Sequence, residues 1–179
     1  MNRRRFTLLN GRLGVGTLVL PLLLLSAGLL AGACSSIDCS LNNLVYTQYQ
    51  LMNSEGKVDT LADTLTVSTK RMEGSDSVLI NRNVGTTEFS LPISYSQAQD
   101  VFFVELTDTI TKRPTFDTIT VNKEDRIHFE SVDCTPSYFH TLQSVSSTHH
   151  RIDSVVIINH EVNYDTSKKH FRIYFNHAH

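Results

Sequence analysis

The 179-residue sequence has no tryptophan, only three cysteines, four prolines and eight glycines. With glycine this sparse there is no phosphate-cradling run, and neither a P-loop nor a G-x-S-x-G elbow occurs. No C-x-x-C pair and no H-E-x-x-H segment is present; His177 and His179, two apart, have a spacing seen in zinc sites, but a site would need three or four ligands to converge. Lys and Arg number 16 against 18 Asp and Glu, with no basic stripe and no interleaving of basic and aromatic residues, which argues against nucleic acid as a partner. Ser, His and Asp are so common that their co-occurrence points to no triad. The expectation is a protein that is not an enzyme, with no cofactor, no metal site and no catalytic residue to name.

What is there begins at the N-terminus. Arg3, Arg4, Arg5 and Arg12 form a basic stretch free of acids, followed by the apolar run LGVGTLVLPLLLLSAGLL and the small residues Ala31, Gly32 and Ala33. A charged region, an apolar region and a small-residue cleavage zone make a secretory signal peptide, expected over residues 1–33. The rival is a retained membrane anchor, because the run approaches the roughly 20 residues that span a bilayer. Asn2-Arg3-Arg4-Arg5-Phe6 fits a twin-arginine signal only in part. Leu30-Ala31-Gly32-Ala33-Cys34 resembles the bacterial lipobox, with Ala31 where leucine is usual. It implies cleavage before Cys34, lipidation of Cys34 and attachment to a membrane through the acyl chains, each buried methylene contributing about 0.8 kcal/mol.

Lipidation of Cys34 leaves Cys39 and Cys134 as an even pair in an oxidising compartment, which favours a Cys39–Cys134 disulfide. Two separate buried thiols are the alternative. Residues 34–40 then form a lipidated tether and residues 41–179 one domain of ordinary size. Loss of the four signal arginines leaves 12 basic against 18 acidic residues, a net charge of −6.

Beyond the tether the periodicity is that of strands. LVYTQYQLM (44–52), TLTVST (64–69), SVLINR (77–82), TEFSLPI (87–93), VFFVEL (101–106), FDTITV (116–121), DSVVIINH (153–160) and KHFRIYF (169–175) are short and rich in β-branched and aromatic residues. Turn signals lie between them, and Ser96 to Asp100 offers one helical turn at most. VFFVEL and VVII, apolar on both faces, read as central strands. In the last segment Phe171, Ile173 and Phe175 alternate with His170, Arg172 and Tyr174 as core and solvent faces. The expected fold is all-β: a β-sandwich, immunoglobulin-like or related, with a small β-barrel as the alternative. Asp76-Ser77-Val78-Leu79-Ile80-Asn81 is echoed by Asp153-Ser154-Val155-Val156-Ile157-Ile158-Asn159, a possible trace of duplication.

Three stretches carry a resemblance: Asp38-Cys39-Ser40-Leu41-Asn42-Asn43, His128-Phe129-Glu130-Ser131-Val132-Asp133-Cys134, and Ile152-Asp153-Ser154 with His170-Phe171-Arg172-Ile173-Tyr174-Phe175. Together they are similar to a family of small Bacteroidetes lipoproteins classed as a domain of unknown function. The resemblance implies lipid anchoring and an exported all-β domain, and it brings no catalytic or binding residues. With a single acid in Ser35-Ser36-Ile37-Asp38, the expectation is an anchor facing the periplasm rather than the cell surface.

Asp followed by Ser or Thr and an aliphatic recurs at Asp59, Asp63, Asp76, Asp108, Asp117 and Asp153. The plain reading is turn chemistry, with side-chain oxygens satisfying local backbone donors before a strand starts. The sharper one is that the triplet resembles the O-glycosylation acceptor of exported Bacteroidetes proteins, making Thr60, Thr64, Ser77, Thr109, Thr118 and Ser154 candidate acceptors.

The eight histidines are expected to be solvated or hydrogen-bonded at the surface. His149 and His150 point to opposite faces of a strand, and His177 and His179 share one. Glu130 and Asp133 read as a solvated turn near Cys134. The polar tract from Ser137 to His150 reads as the longest loop, with Tyr138 and Phe139 over the disulfide. The function these observations favour is a membrane-anchored structural or interaction module of the cell envelope, with a possible envelope protein partner. The alternative is a periplasmic lipoprotein whose 137–150 loop binds a glycan, peptide or metal.

Overall fold

The computed structural model describes Cys39 and residues 44–176. The expected signal peptide, Cys34 and the His177/His179 pair lie outside the described residues. The described chain folds into ten strands: β1 (Tyr46–Met52), β2 (Thr64–Lys70), β3 (Asp76–Asn83), β4 (Glu88–Pro92), β5 (Gln99–Thr107), β6 (Pro114–His128), β7 (Ser137–Ser147), β8 (Ile152–Ile157), β9 (Glu161–Val162) and β10 (Phe171–Phe175). They make a four-stranded sheet in the order β4-β1-β10-β8 and a six-stranded sheet in the order β3-β2-β5-β6-β7-β9. The sheets do not close on one another, so the fold is a β-sandwich and not a barrel.

Period-two alternation builds the interior. Leu65 and Val67 of β2, Phe102, Val104 and Leu106 of β5, Ile119 and Val121 of β6 and Leu142 of β7 are buried on the inner face of the larger sheet. Tyr49, Leu51, Leu91, Phe171 and Ile173 meet them from the smaller one. β1 and β10 run parallel and pair Tyr49 with Phe171, so the first and last strands lie side by side. Every other strand pair is antiparallel.

Local chemistry sets the turns. Gly74 turns β2 into β3 at φ 86°, a left-handed conformation that glycine adopts without steric cost. In the β5–β6 hairpin the same need falls on Lys112, at φ 60°. There the Asp108 carboxylate accepts from the amides of Ile110 (2.8 Å) and Thr111 (2.6 Å), an Asx turn.

The structure departs from the sequence reading in several places. Residues 137–147 are not a loop but strand β7, laid against an unexpectedly long β6. Gln143, Ser144 and Ser146 on its exposed side hid its alternation. Tyr138 stacks on Tyr95 (4.8 Å), and Phe139 on His128 (4.2 Å). The VVII strand is not central: β8 lies at the edge of the smaller sheet, with Val156 and Ile158 exposed. β5 is central, yet Phe103 points outward and is 37% exposed. His140 and His170 are buried rather than at the surface. The segment before Asp100 makes bends and no helical turn. The two copies of the echo, β3 and β8, are edge strands of different sheets, so their likeness has a shared structural setting.

Candidate functional site

Between Ser147 and Ile152 the chain leaves the large sheet for the small one, and Asp117 of β6 organises that crossing. Its buried carboxylate accepts from Thr148 Oγ1 (2.7 Å) and the amides of His150 (2.9 Å), Arg151 (2.7 Å) and Ile152 (3.0 Å). Burial raises the carboxyl's pKa, but these bonds outweigh it and hold the group below its ordinary value. Arg151 is thereby fixed beside Asp63, with Nη2 2.5 Å from Oδ2 and both side chains largely buried. Asp63 belongs to the β1–β2 crossover, so the ion pair ties two crossovers together.

The pair borders a cavity of about 260 Å³, lined also by Asp59, Asp108, Phe175 and Asn176, with Leu51 and Leu61 among its apolar groups. Arg151 Nε is fully buried and has no hydrogen-bond partner. The amides of Thr111 and Ile110 hold Asp108 below its ordinary pKa, with a smaller contribution from the charge of Arg151. The cavity therefore combines carboxylate acceptors, a guanidinium donor and an apolar surface.

A second polar cluster is buried behind β5, β6 and β7. Lys123 Nζ, fully enclosed, lies 2.7 Å from Asp125 Oδ1, 2.7 Å from the Gln97 carbonyl and 3.8 Å from Asp100 Oδ2. Asp125 and His140 are cross-strand partners, and Asp125 Oδ1 lies 2.7 Å from His140 Nδ1. Burial pushes Asp100 up to about 6 against the opposing effects of Lys123 and the Ser94 amide. Burial likewise lowers His140 and, elsewhere, His170, whose Nδ1 accepts from the Gln48 amide at 3.0 Å. With Lys123 bonded on several sides, the cluster closes on itself and serves packing. Among the described residues no three His, Cys, Asp or Glu side chains come together to hold a metal ion.

A shallower groove on the outer face of the large sheet exposes Phe103 and Phe116, with Lys70 Nζ 5.9 Å above the Phe103 ring. Thr118 lines it as well. Of the candidate acceptors, Thr60 and Thr109 are exposed and line the Arg151 cavity, while Thr64, Ser77, Thr118 and Ser154 are half-buried. Turn chemistry is visible at several triplets: Asp59 Oδ1 accepts from the Thr60 amide (2.8 Å), and Ser154 Oγ donates to Asp153 (3.2 Å). Asp63 and Asp117 instead make long-range bonds, which the shared triplet conceals.

Cys39 and Cys134, 95 positions apart in sequence, form a disulfide with Cα atoms 5.5 Å apart. Glu130 and Asp133 are exposed in the turn that carries Cys134. The Asp63–Arg151 pair was missed from sequence. The only signal was one basic residue set between His150 and the aliphatic start of a strand.

Two facing antiparallel-rich sheets, stapled by one disulfide, define a β-sandwich protein. The chain belongs to a family of unknown function (DUF6452), whose model matches residues 64–175. No curated protein and no solved structure matches the chain.

Proposed function

We propose that this chain is an exported lipoprotein, anchored through Cys34 to a membrane of the cell envelope and facing the periplasm, where it acts as a non-catalytic structural or interaction module. The observation that carries the reading is the Cys39–Cys134 disulfide, which needs an oxidising compartment and starts five residues after the lipobox-like cysteine. The signal-like N-terminus and the resemblance to small Bacteroidetes lipoproteins support the same address. An envelope protein is the expected partner, and the two outer sheet faces and the exposed edge strand β8 are the surfaces available to it. A ligand-binding reading would have to use other surfaces than a long 137–150 loop, since residues 137–147 of that tract are a paired strand.

The test is the intact mass of protein extracted from its native membrane, with and without reductant. The expected mass starts at Cys34, carries acyl chains and gains two hydrogens on reduction. Sugar increments would add O-glycosylation at the Asp-Ser/Thr sites. A mass retaining residues 1–33, or lacking lipid, overturns the anchor.

A further inference from the structure

Ile127, Phe129 and Val132 are 58%, 65% and 97% exposed, and nowhere else among the described residues do three exposed large hydrophobics lie so close in sequence. Ile127 is near the end of β6, and Phe129 and Val132 occupy the β6–β7 turn, residues 129–136, which also carries Cys134. Single exposed apolar residues are ordinary on a protein surface, but a cluster on one turn marks a surface that meets something. The turn is held in shape. β6 and β7 stay paired as far as His128 and Ser137, the Cys134 amide donates to the Ser131 carbonyl at 3.3 Å, and His128 stacks on Phe139. Side chains presented from so fixed a turn lose little further freedom when they dock. Ile127 is the cross-strand partner of Tyr138, whose ring stacks on the exposed Tyr95, so aromatic surface continues behind the turn.

What the turn meets follows from the disulfide. Cys39 is bonded to Cys134, and Cys34 lies five positions before Cys39. Even fully extended, five residues span at most about 18 Å. An acylated Cys34 sits at the bilayer surface, so the disulfide keeps the turn within that reach of the lipid headgroups. Ile110, nearly as exposed as Val132, lies on the β5–β6 turn at the opposite end of the 15-residue β6, roughly 45 Å away along the strand. We propose that the 129–136 turn docks on the lipid bilayer, with Phe129 and Val132 entering the boundary between headgroups and acyl chains. Charge does not drive this contact: Glu130 and Asp133 are exposed acids of the turn, and the neighbouring Arg126 is paired with Glu161. The surface it fits is therefore zwitterionic rather than anionic. The inference rests on the Cys34 anchor proposed above and goes beyond it by fixing which end of the domain faces the membrane.

The chain contains no tryptophan, so a single introduced tryptophan is a sole reporter. The full chain carrying Phe129→Trp, Val132→Trp or Ile110→Trp is expressed in a bacterial host that acylates lipoproteins and extracted from its membrane. Each protein is reconstituted in vesicles of phosphatidylcholine and phosphatidylethanolamine, with or without bromine near the top of the acyl chains. Intact mass and flotation with the vesicles report the anchor independently. Bromine is expected to quench Phe129→Trp and Val132→Trp at least roughly twofold more than Ile110→Trp, since interfacial side chains reach about 5–10 Å into that boundary. Either turn variant makes the test if the other does not fold. An acylated, floating protein whose turn tryptophan is quenched no more than that of Ile110→Trp overturns the docking and leaves the anchor standing. Emission that shifts to the blue without quenching places the turn against a second copy of the chain and also overturns it. A mass without acyl chains overturns the anchor, and this inference with it.

Discussion

Tyr49 and Phe171, the facing residues of the parallel pair β1–β10, stack with ring centroids 4.6 Å apart and planes within 18°. On its other side Tyr49 stacks on Phe89 of β4 at 4.8 Å, so three rings cross three adjacent strands. This stack welds the first described strand to the last, and both rings of the leading pair are fully buried. Cross-strand aromatic pairs add to burial because offset rings gain quadrupole and dispersion energy together.

Phe171→Ala should therefore cost about 3–5 kcal/mol, the range for deleting a buried aromatic from a core that cannot collapse around it. Urea unfolding of the variant and the parent measures it. A loss below about 1 kcal/mol would mean that β10 is not docked against β1 as described.

Asp117→Ala removes the acceptor of four hydrogen bonds at the Thr148–Ile152 crossing, three of them from backbone amides. Leaving such donors buried costs about 1–3 kcal/mol each where water cannot replace the carboxylate, so a total near 3 kcal/mol is expected. Faster hydrogen exchange confined to the amides of His150, Arg151 and Ile152 is the specific signature. Because the folded pKa lies below its unfolded value, this contribution is full above about pH 4 and fades as pH falls through the folded value.

Asp100 works in the opposite sense. Its folded pKa, about 6, lies above the ordinary value of 3.8, so the folded state binds the extra proton between those values. Stability from this group is full below about pH 4 and declines as pH rises through 6. Asp100→Asn should thus gain on the parent protein by an amount of order 2 kcal/mol between pH 4 and 7. Paired unfolding curves across that range test it, and a constant difference would refute it. Subtracting the variant's curve also removes the contributions of His140 and His170. Their lowered pKa values make the folded state less protonated than the unfolded one near pH 6, so their stability rises with pH.

Replacing Cys39 and Cys134 together by serine opens a loop of 95 residues. The chain-entropy argument sets the loss at about 4 kcal/mol, because the bond restricts the unfolded chain more than it strains the folded one. Denaturant midpoints of the double variant and of the oxidised parent protein give the number. An unchanged midpoint would mean that the segment bearing Cys39 contributes nothing to the folded domain.

Lys112→Gly is expected to stabilise the domain by about 0.5–1 kcal/mol. It relieves a side chain held at φ 60°, less the entropy glycine gives back. Thermal unfolding reads this directly, and destabilisation would show that the Lys112 side chain, whose Nζ lies 2.6 Å from the Thr109 carbonyl, outweighs the backbone strain.

The all-β class was legible because strands with one buried face repeat every two residues, as in β10, where Phe171 and Ile173 are buried and Arg172 is exposed. β7 was not legible. Its Gln143, Ser144 and Ser146 face solvent beside a register shift next to Lys123, so alternation breaks mid-strand and the segment reads as polar loop. The neighbouring position shows the same limit. Lys123 is enclosed only because Asp125, the Gln97 carbonyl and Asp100 surround it, and nothing local to the sequence brings those groups together.

The sequence by itself determined the all-β class and the place of most strands and turns, and it favoured pairing Cys39 with Cys134, since these rest on local pattern and arithmetic. Tertiary structure alone decided which strands lie at edges, that β1 meets β10 in parallel, and that His140, His170, Lys123 and Asp63 are buried. It also decided what two similar triplets do. Asp108-Thr109-Ile110 makes its own hairpin turn, while Asp117-Thr118-Ile119 turns its carboxylate to a crossing more than 30 residues away. Hydrogen bonds of that reach depend on where the folded backbone passes, and one-dimensional spacing does not encode it.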